Sequence, residues 1–306
     1  MTTETESPIM DPISQASSNS GTHVDAPVAE AIAQAAAIVE PSPAAPPAAP
    51  KVERKFLAEV LVVTSGKGGV GKTSLTANVA TVLRQRGYKV LAVDLDPQNS
   101  LRLHLGMDLS DPGGMIREGV SRESLFVSPT GVHFLPFGRA DTQDLQAFTA
   151  CLQAHPDWLA GHLLGLGDIG FDFVCIDSPP GASPFLQQAL HAARHALVVV
   201  SADAASYATL AQTHDLIHLH TAGRTDFRGP HVLLNDVPLQ GPLGHLVRSA
   251  LVEDEQWRLV PTSVHRDPRM GQALARQTTA VAATPESMVA MDIEYLVDWL
   301  LEETAR

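Results

Sequence analysis

Cysteine is scarce in this sequence: Cys151 and Cys175 are the two in 306 residues. Two cysteines cannot build a disulfide framework, and they suit a reducing compartment. Long apolar runs are missing as well. No stretch reaches the roughly 18–20 residues needed to cross a bilayer as a helix. The first residues, MTTETESPIMDPIS, lack the basic start and apolar core of a secretory signal. A soluble, intracellular protein is expected. Basic charge is short too, with 21 Lys and Arg against 34 Asp and Glu, a net charge of −13. That balance argues against a general nucleic-acid binder, which carries a basic surplus.

Residues 1–50 contain six acidic residues and no Lys or Arg. They hold 8 of the 22 prolines and end in PSPAAPPAAP. Such composition favours extended, unpacked chain, so residues 1–55 are expected to form a disordered acidic leader. Within it Val28–Val39 is Ala-rich and suits a short helix, either unpartnered or docking on another protein.

From Glu59 onward the pattern changes. VLVVTSGKGG reads as a buried strand entering a glycine-rich turn. Ser74–Arg86 has helical spacing of Leu75, Val79, Val82 and Leu83, and Gly87 follows as a stop. Further strands are predicted at Lys89–Asp96, Gly131–Gly138, Phe171–Ser178, His195–Asp203, His231–Asp236 and Trp257–Val264. Continuous apolar strands separated by helical stretches predict an α/β fold with a doubly wound, mostly parallel sheet over residues 56–306.

Gly66–Thr73 reads GKGGVGKT, which fits the P-loop pattern G-x-x-x-x-G-K-[ST] between a strand and a helix. Glycines let several backbone N–H groups converge on phosphate oxygens, and the following helix adds the positive end of its dipole. Gly68, Gly69, Val70, Gly71, Lys72, Thr73 and Ser74 are therefore the expected phosphate contacts. Lys72 is placed to reach the β- and γ-phosphates of ATP, and Thr73 to ligate Mg²⁺. Asp177 ends an apolar strand, where its carboxylate suits the metal, through water. Asp94 and Asp96 end the strand after the P-loop helix. Metal binding or water activation suits one of them, a turn cap or salt bridge the other. Asn235, ending HVLLND, reads as a turn residue or a base contact.

The early lysine, Lys67 in KGGVGKTS, resembles the deviant Walker-A group of P-loop proteins, the MinD/ParA-like ATPases. DLDPQNS and IDSPPG resemble that family's switch I and its Walker-B and switch II segments, over roughly residues 58–300. The resemblance implies an ATP-dependent homodimer in which Lys67 reaches the partner's nucleotide. It implies that Asp96 positions or activates the attacking water, and that Asn235 contacts adenine. Within the family, LRLHLGM, FLPFGR, VLLNDV and VHRDPRM are similar to the cellulose-synthase-operon branch, BcsQ (also YhjQ). That branch implies support of the bacterial cellulose synthesis and secretion complex at the inner face of the cytoplasmic membrane. Small proteins of the same operon would be its partners.

Other members fit less well. Iron–sulfur relatives need paired cysteines or C-x-x-C, whereas Cys175 lies in a strand and Cys151 in a helical stretch. MinD proteins end in a basic amphipathic membrane helix, but DIEYLVDWLLEETAR is acidic. Leu296, Trp299 and Leu300 are expected to pack on the sheet, without direct membrane insertion. A ParA-type partition ATPase would bind DNA nonspecifically, and Arg266, Arg269 and Arg276 are its candidate patch. An ATP-bound scaffold with little turnover is a further alternative. His191/His195 and His214/His218 share i, i+4 spacing, but no H-E-x-x-H accompanies them.

Overall fold

The structure, a computed structural model, describes residues 58–254 and 256–305. The leader expected over residues 1–55 lies outside the described residues.

Successive strand residues face opposite sides of a sheet, so a continuous apolar run implies cover on both. In β1 (Glu59–Thr64) Val60 and Val62 enter one core, while Leu61 and Val63 enter another. The same split recurs in β2 (Val90–Asp94), with Leu91 and Val93 opposed to Val90 and Ala92. The remaining strands are β3 (Phe126–Val127), β4 (His133–Leu135), β5 (Phe173–Asp177), β6 (His195–Ser201) and β7 (Pro230–Asn235). They lie in the order β3-β4-β2-β5-β1-β6-β7. Every neighbouring pair is parallel except β3 with β4.

The longer helices are α1 (Lys72–Gln85), α2 (Thr142–Ala154), α3 (Trp158–Gly165), α4 (Pro184–Ala192), α5 (Leu210–Thr221), α6 (Leu243–Glu253), α7 (Pro268–Ala275) and α8 (Met288–Ala305). Leu152, Leu159, Phe185, Ile217 and Val247 bring α2 to α6 onto the face carrying Val60 and Val62. Leu75, Val79 and Leu83 of α1 cover the other, together with Ala273 of α7 and Ile293, Leu296 and Leu300 of α8. Trp299 packs at the edge of that core, its ring 4.9 Å from His231. The acidic C-terminal segment is thus seated on the sheet as its sequence pattern predicts.

The element order matches the expected doubly wound sheet, with two differences. Trp257–Val264 is not a strand: it follows β7 through isolated bridges only, Val232 with Leu259 and Val237 with His265. Val260 N–H donates to the Val232 carbonyl, but the next donor along, to the Leu234 carbonyl, is Val264. An even parallel ladder would take that donor from Thr262, so the pairing slips by two residues here. The opposite edge gains β3, two residues long, too short to leave a periodic signal.

Parallel strands deliver their C-terminal ends to one edge of the sheet, where ligand sites of such folds form. Here that edge gathers the loop after β1, Asp94 of β2, Asp177 of β5, the segment after β6, and Asn235 of β7.

Candidate nucleotide-binding site

The loop between β1 and α1 is shaped by two glycines. Gly69 and Gly71 have φ values of 77° and 93°, a left-handed region costly for residues with a Cβ. Gly71 is the residue immediately preceding α1, so the unpaired N–H groups of the first turn open onto the loop. A Cβ on Gly71 would come within 2.5 Å of Asn235 Nδ2. One on Gly66 would come within 2.6 Å of the Thr209 side chain. Ser65 Oγ donates to the Lys67 carbonyl at 2.7 Å, and Gly181 N–H donates to the Ser65 carbonyl at 3.1 Å. The segment after β5 is thereby tied to the loop.

Thr73 and Asp177 meet directly. Thr73 Oγ1 donates to Asp177 Oδ2 at 2.6 Å, while the buried Asp177 Oδ1 has no hydrogen-bond partner among the described residues. An orphaned carboxylate oxygen beside a threonine hydroxyl is a hard-oxygen donor set that suits Mg²⁺. Burial pushes the Asp177 carboxyl up to about 7, the Thr73 bond and the Lys72 charge pull it down, and Asp96 raises it. Lys72 is 6% exposed. Burial lowers its ammonium from the ordinary value, with Asp177 and Asp96 opposing that shift. A buried ammonium at the first turn of α1 is in place for an anion, and the charges of Asp96 and Asp177 reach it.

The two carboxylates at the end of β2 divide. Asp94 is fully buried and accepts from the Asp96 and Leu101 backbones at 3.0 and 2.9 Å. Burial and the adjacent Asp177 hold its carboxyl well above the usual range. Asp96 is only partly buried, and its Oδ1 accepts from Gln98 N–H at 2.9 Å. Both acids cap turns, Asp94 from full burial and Asp96 with a carboxylate that stays partly exposed.

Lys67 has a partner that the sequence did not suggest. Its Nζ lies 3.2 Å from both carboxylate oxygens of Asp203. Burial raises the Asp203 carboxyl, but bonds from Ser206 and Lys67 outweigh it and hold the group below its ordinary value. The signal for Asp203 was an acid heading a short helix, Ala204–Ala208, which it caps through Ser206 N–H at 2.8 Å. Its closeness to Lys67 follows from β1 lying beside β6. Asn235 is 8% exposed and donates through Nδ2 to the Val70 carbonyl at 2.7 Å. One of its two amide N–H groups is engaged by the loop backbone. Ser74 Oγ lies 3.3 Å from His104 Nε2, and burial lowers that imidazole to about 4, keeping it neutral.

Other candidates have partners of their own. Arg266 forms a paired contact with Asp236 at 2.9 and 2.7 Å, and Arg269 lies 3.4 Å from Asp267. Among the described residues no group of three or more His, Cys, Asp and Glu is arranged to hold a metal alone. A cavity of about 860 Å³ lined by Arg122, Trp158 and His162 shares no residue with the loop. Among the described residues no helix is long and apolar enough to cross a membrane.

Known proteins are similar to this chain. The profile of the family described as cellulose biosynthesis protein BcsQ matches residues 58–301. The cellulose biosynthesis protein BcsQ of Salmonella typhi is 26% identical over 257 residues, covering 79% of this chain and 94% of that protein. Solved structures share the fold. The septum site-determining protein MinD of Pyrococcus horikoshii, complexed with Mg-ADP, superposes with a TM-score of 0.65 at 22% identity, covering 79% of this chain and 96% of that one. Cobyrinic acid a,c-diamide synthase of Mycobacterium smegmatis, with a bound ATP analogue and magnesium, gives 0.67 at 23% identity, covering 81% and 95%. With its P-loop followed by an acid-bearing sheet edge, and matched by that profile from β1 into α8, the chain belongs to the BcsQ family of MinD/ParA-like P-loop proteins.

Proposed function

We propose that this chain is an ATP-dependent, dimerising ATPase that supports assembly, placement or regulation of the bacterial cellulose synthesis and secretion complex. The observation that carries the reading is the Thr73–Asp177 contact at 2.6 Å beside a buried Lys72, on a chain of the BcsQ family. Gly68 to Ser74 bind the phosphates through backbone N–H groups and the dipole of α1. Lys72 sets its charge against the β- and γ-phosphates. Thr73, with Asp177 through water, would hold Mg²⁺, which would supply positive charge against the phosphates. Asp96 orients the attacking water, and Asn235 contacts the adenine base. Lys67 leaves Asp203 and reaches the nucleotide of a second copy, acting in trans as an arginine finger does. Loose phosphoryl-transfer transition states need positioning and charge more than covalent help. The products are ADP and phosphate.

The protein works in the cytoplasm and is recruited to the inner face of the membrane or the cell pole by small proteins of the cellulose operon and by the synthase complex itself. Two of the three arginines of the alternative DNA-binding patch are already paired with Asp236 and Asp267. No DNA binding at low salt is expected, and a salt-dependent shift with ATP would favour partition instead. Hydrolysis by the wild type that disappears in Lys72→Ala tests the ATPase; turnover surviving that change refutes it, and absent turnover leaves a scaffold. Affinity purification from native cells tests the setting. Cellulose-complex subunits are expected, and a centromere-binding partner overturns the assignment.

A further inference from the structure

Asp94 stands where an apolar residue would cost less. It ends β2 opposite Asp177 in the parallel ladder, and both carboxylates are fully buried. Two buried acids side by side are expensive without compensation. The compensation at Asp94 is entirely local. Oδ1 accepts from Asp96 N–H at 3.0 Å and Oδ2 from Leu101 N–H at 2.9 Å. One carboxylate therefore joins the two ends of the segment Leu95–Ser100. Leu95 N–H donates to the Asp177 carbonyl at 2.9 Å, which ties the same segment to β5. Inside it, Asn99 sits at φ 49° and accepts from Phe137 N–H at 3.1 Å, while its own N–H donates to the Asp96 carbonyl at 2.8 Å.

We propose that Asp94 is a positioning residue for hydrolysis, a clamp that fixes the backbone of Asp96 relative to the Thr73–Asp177 pair. The inference rests on the ATPase reading, in which Asp96 directs water. Fully buried, Asp94 acts through the two amides it accepts from. A carboxylate can accept from both at once. An asparagine offers one acceptor oxygen and turns an N–H toward the other donor.

The test uses the full chain with Asp94→Asn and Asp94→Ala, reading amide hydrogen exchange, binding of a fluorescent ATP analogue and single-turnover hydrolysis. In Asp94→Ala, exchange at Asp96 and Leu101 is expected to rise about tenfold or more, since bonds to an ionised or buried acceptor protect strongly. The hydrolysis rate is expected to fall about tenfold while analogue affinity stays within about threefold, the pattern of an interaction that serves the reacting geometry. Asp94→Asn should retain protection at one of the two amides. A merely structural role would lower thermal stability and affinity together and leave the rate of bound nucleotide unchanged. Unchanged exchange at both amides, or affinity lost in parallel with rate, overturns the clamp. Should the variants fail to fold, the wild type supplies a second measurement. Its Asp96 and Leu101 amides must exchange about tenfold more slowly than the Ser100 amide in the same segment, and equal rates refute the proposal. A wild type with no hydrolysis removes the ATPase reading while leaving the exchange result standing.

Discussion

Lys67 Nζ lies 3.2 Å from each carboxylate oxygen of Asp203 within one chain. A lysine in this ion pair cannot at the same time reach a second copy, so pairing and trans contact compete. Both side chains are more than a third exposed, at 42% and 37%, and such pairs contribute about 1 kcal/mol or less. Asp203→Asn keeps an N-cap acceptor for Ser206 but removes the charge. The expected outcome is an ATP-dependent dimer tightened by up to about thirtyfold, the equivalent of that energy at each of the two pairs a dimer breaks. Sedimentation velocity with a nonhydrolysed ATP analogue checks it, and an unmoved dimer constant means the pair does not restrain Lys67. Lys67→Ala should abolish hydrolysis and weaken the dimer while retaining ATP binding.

Glycine substitutions around the loop should differ in sign from those elsewhere. Gly71→Ala meets both a φ of 93° and Asn235 Nδ2 at 2.5 Å, and Gly66→Ala meets Thr209 at 2.6 Å. Each is expected to destabilise the chain by about 1–3 kcal/mol. Gly161 lies inside α3, where an added Cβ meets nothing within 4 Å. Gly161→Ala should therefore raise stability by about 0.5–1 kcal/mol. Urea denaturation of the three variants at one pH decides the matter; a stabilised Gly71→Ala would contradict the loop geometry.

Much of the site is legible in the sequence because it is written contiguously. Gly66 to Ser74 announce a P-loop by spacing alone, and the apolar runs around Asp94 and Asp177 place those acids at strand ends. The relation of Lys67 to Asp203 is not legible, since 135 residues intervene and only the β1–β6 adjacency joins them. The division of labour between Asp94 and Asp96 is hidden for a different reason. Both belong to one DLD triplet, and only the direction of each side chain separates the fully buried acid from the partly exposed one. Trp257–Val264 misleads because its composition suits a strand while its pairing with β7 slips by two residues after Val260.

The two thiols should react very differently. Cys175 is buried in β5, and burial pushes its thiol up to about 12, so almost no thiolate exists at neutral pH. Cys151 is only half-buried on α2. Ellman titration of the native chain is expected to modify Cys151 readily and Cys175 only after denaturant is added. Rapid reaction of both would show that β5 opens easily.

Asp177 carries the pH prediction. Its unfolded carboxyl titrates near 3.8 and its folded one near 7, so the metal-free folded chain binds the extra proton across that interval. Stability from this group is complete below about 4 and is lost as pH rises through about 7, because a proton favouring the folded state is released there. In EDTA, Asp177→Asn should flatten the stability profile over that window, as measured by thermal melts at stepped pH. Divalent metal needs the ionised carboxylate, so binding Mg²⁺ with nucleotide near pH 7 should expel roughly half a proton from Asp177. Titration calorimetry in two buffers of different ionisation enthalpy reads that proton directly, and Asp177→Asn should abolish it. Proton release unchanged in the variant would move the titrating group away from Asp177 and leave Thr73 as the surviving candidate ligand of the pair.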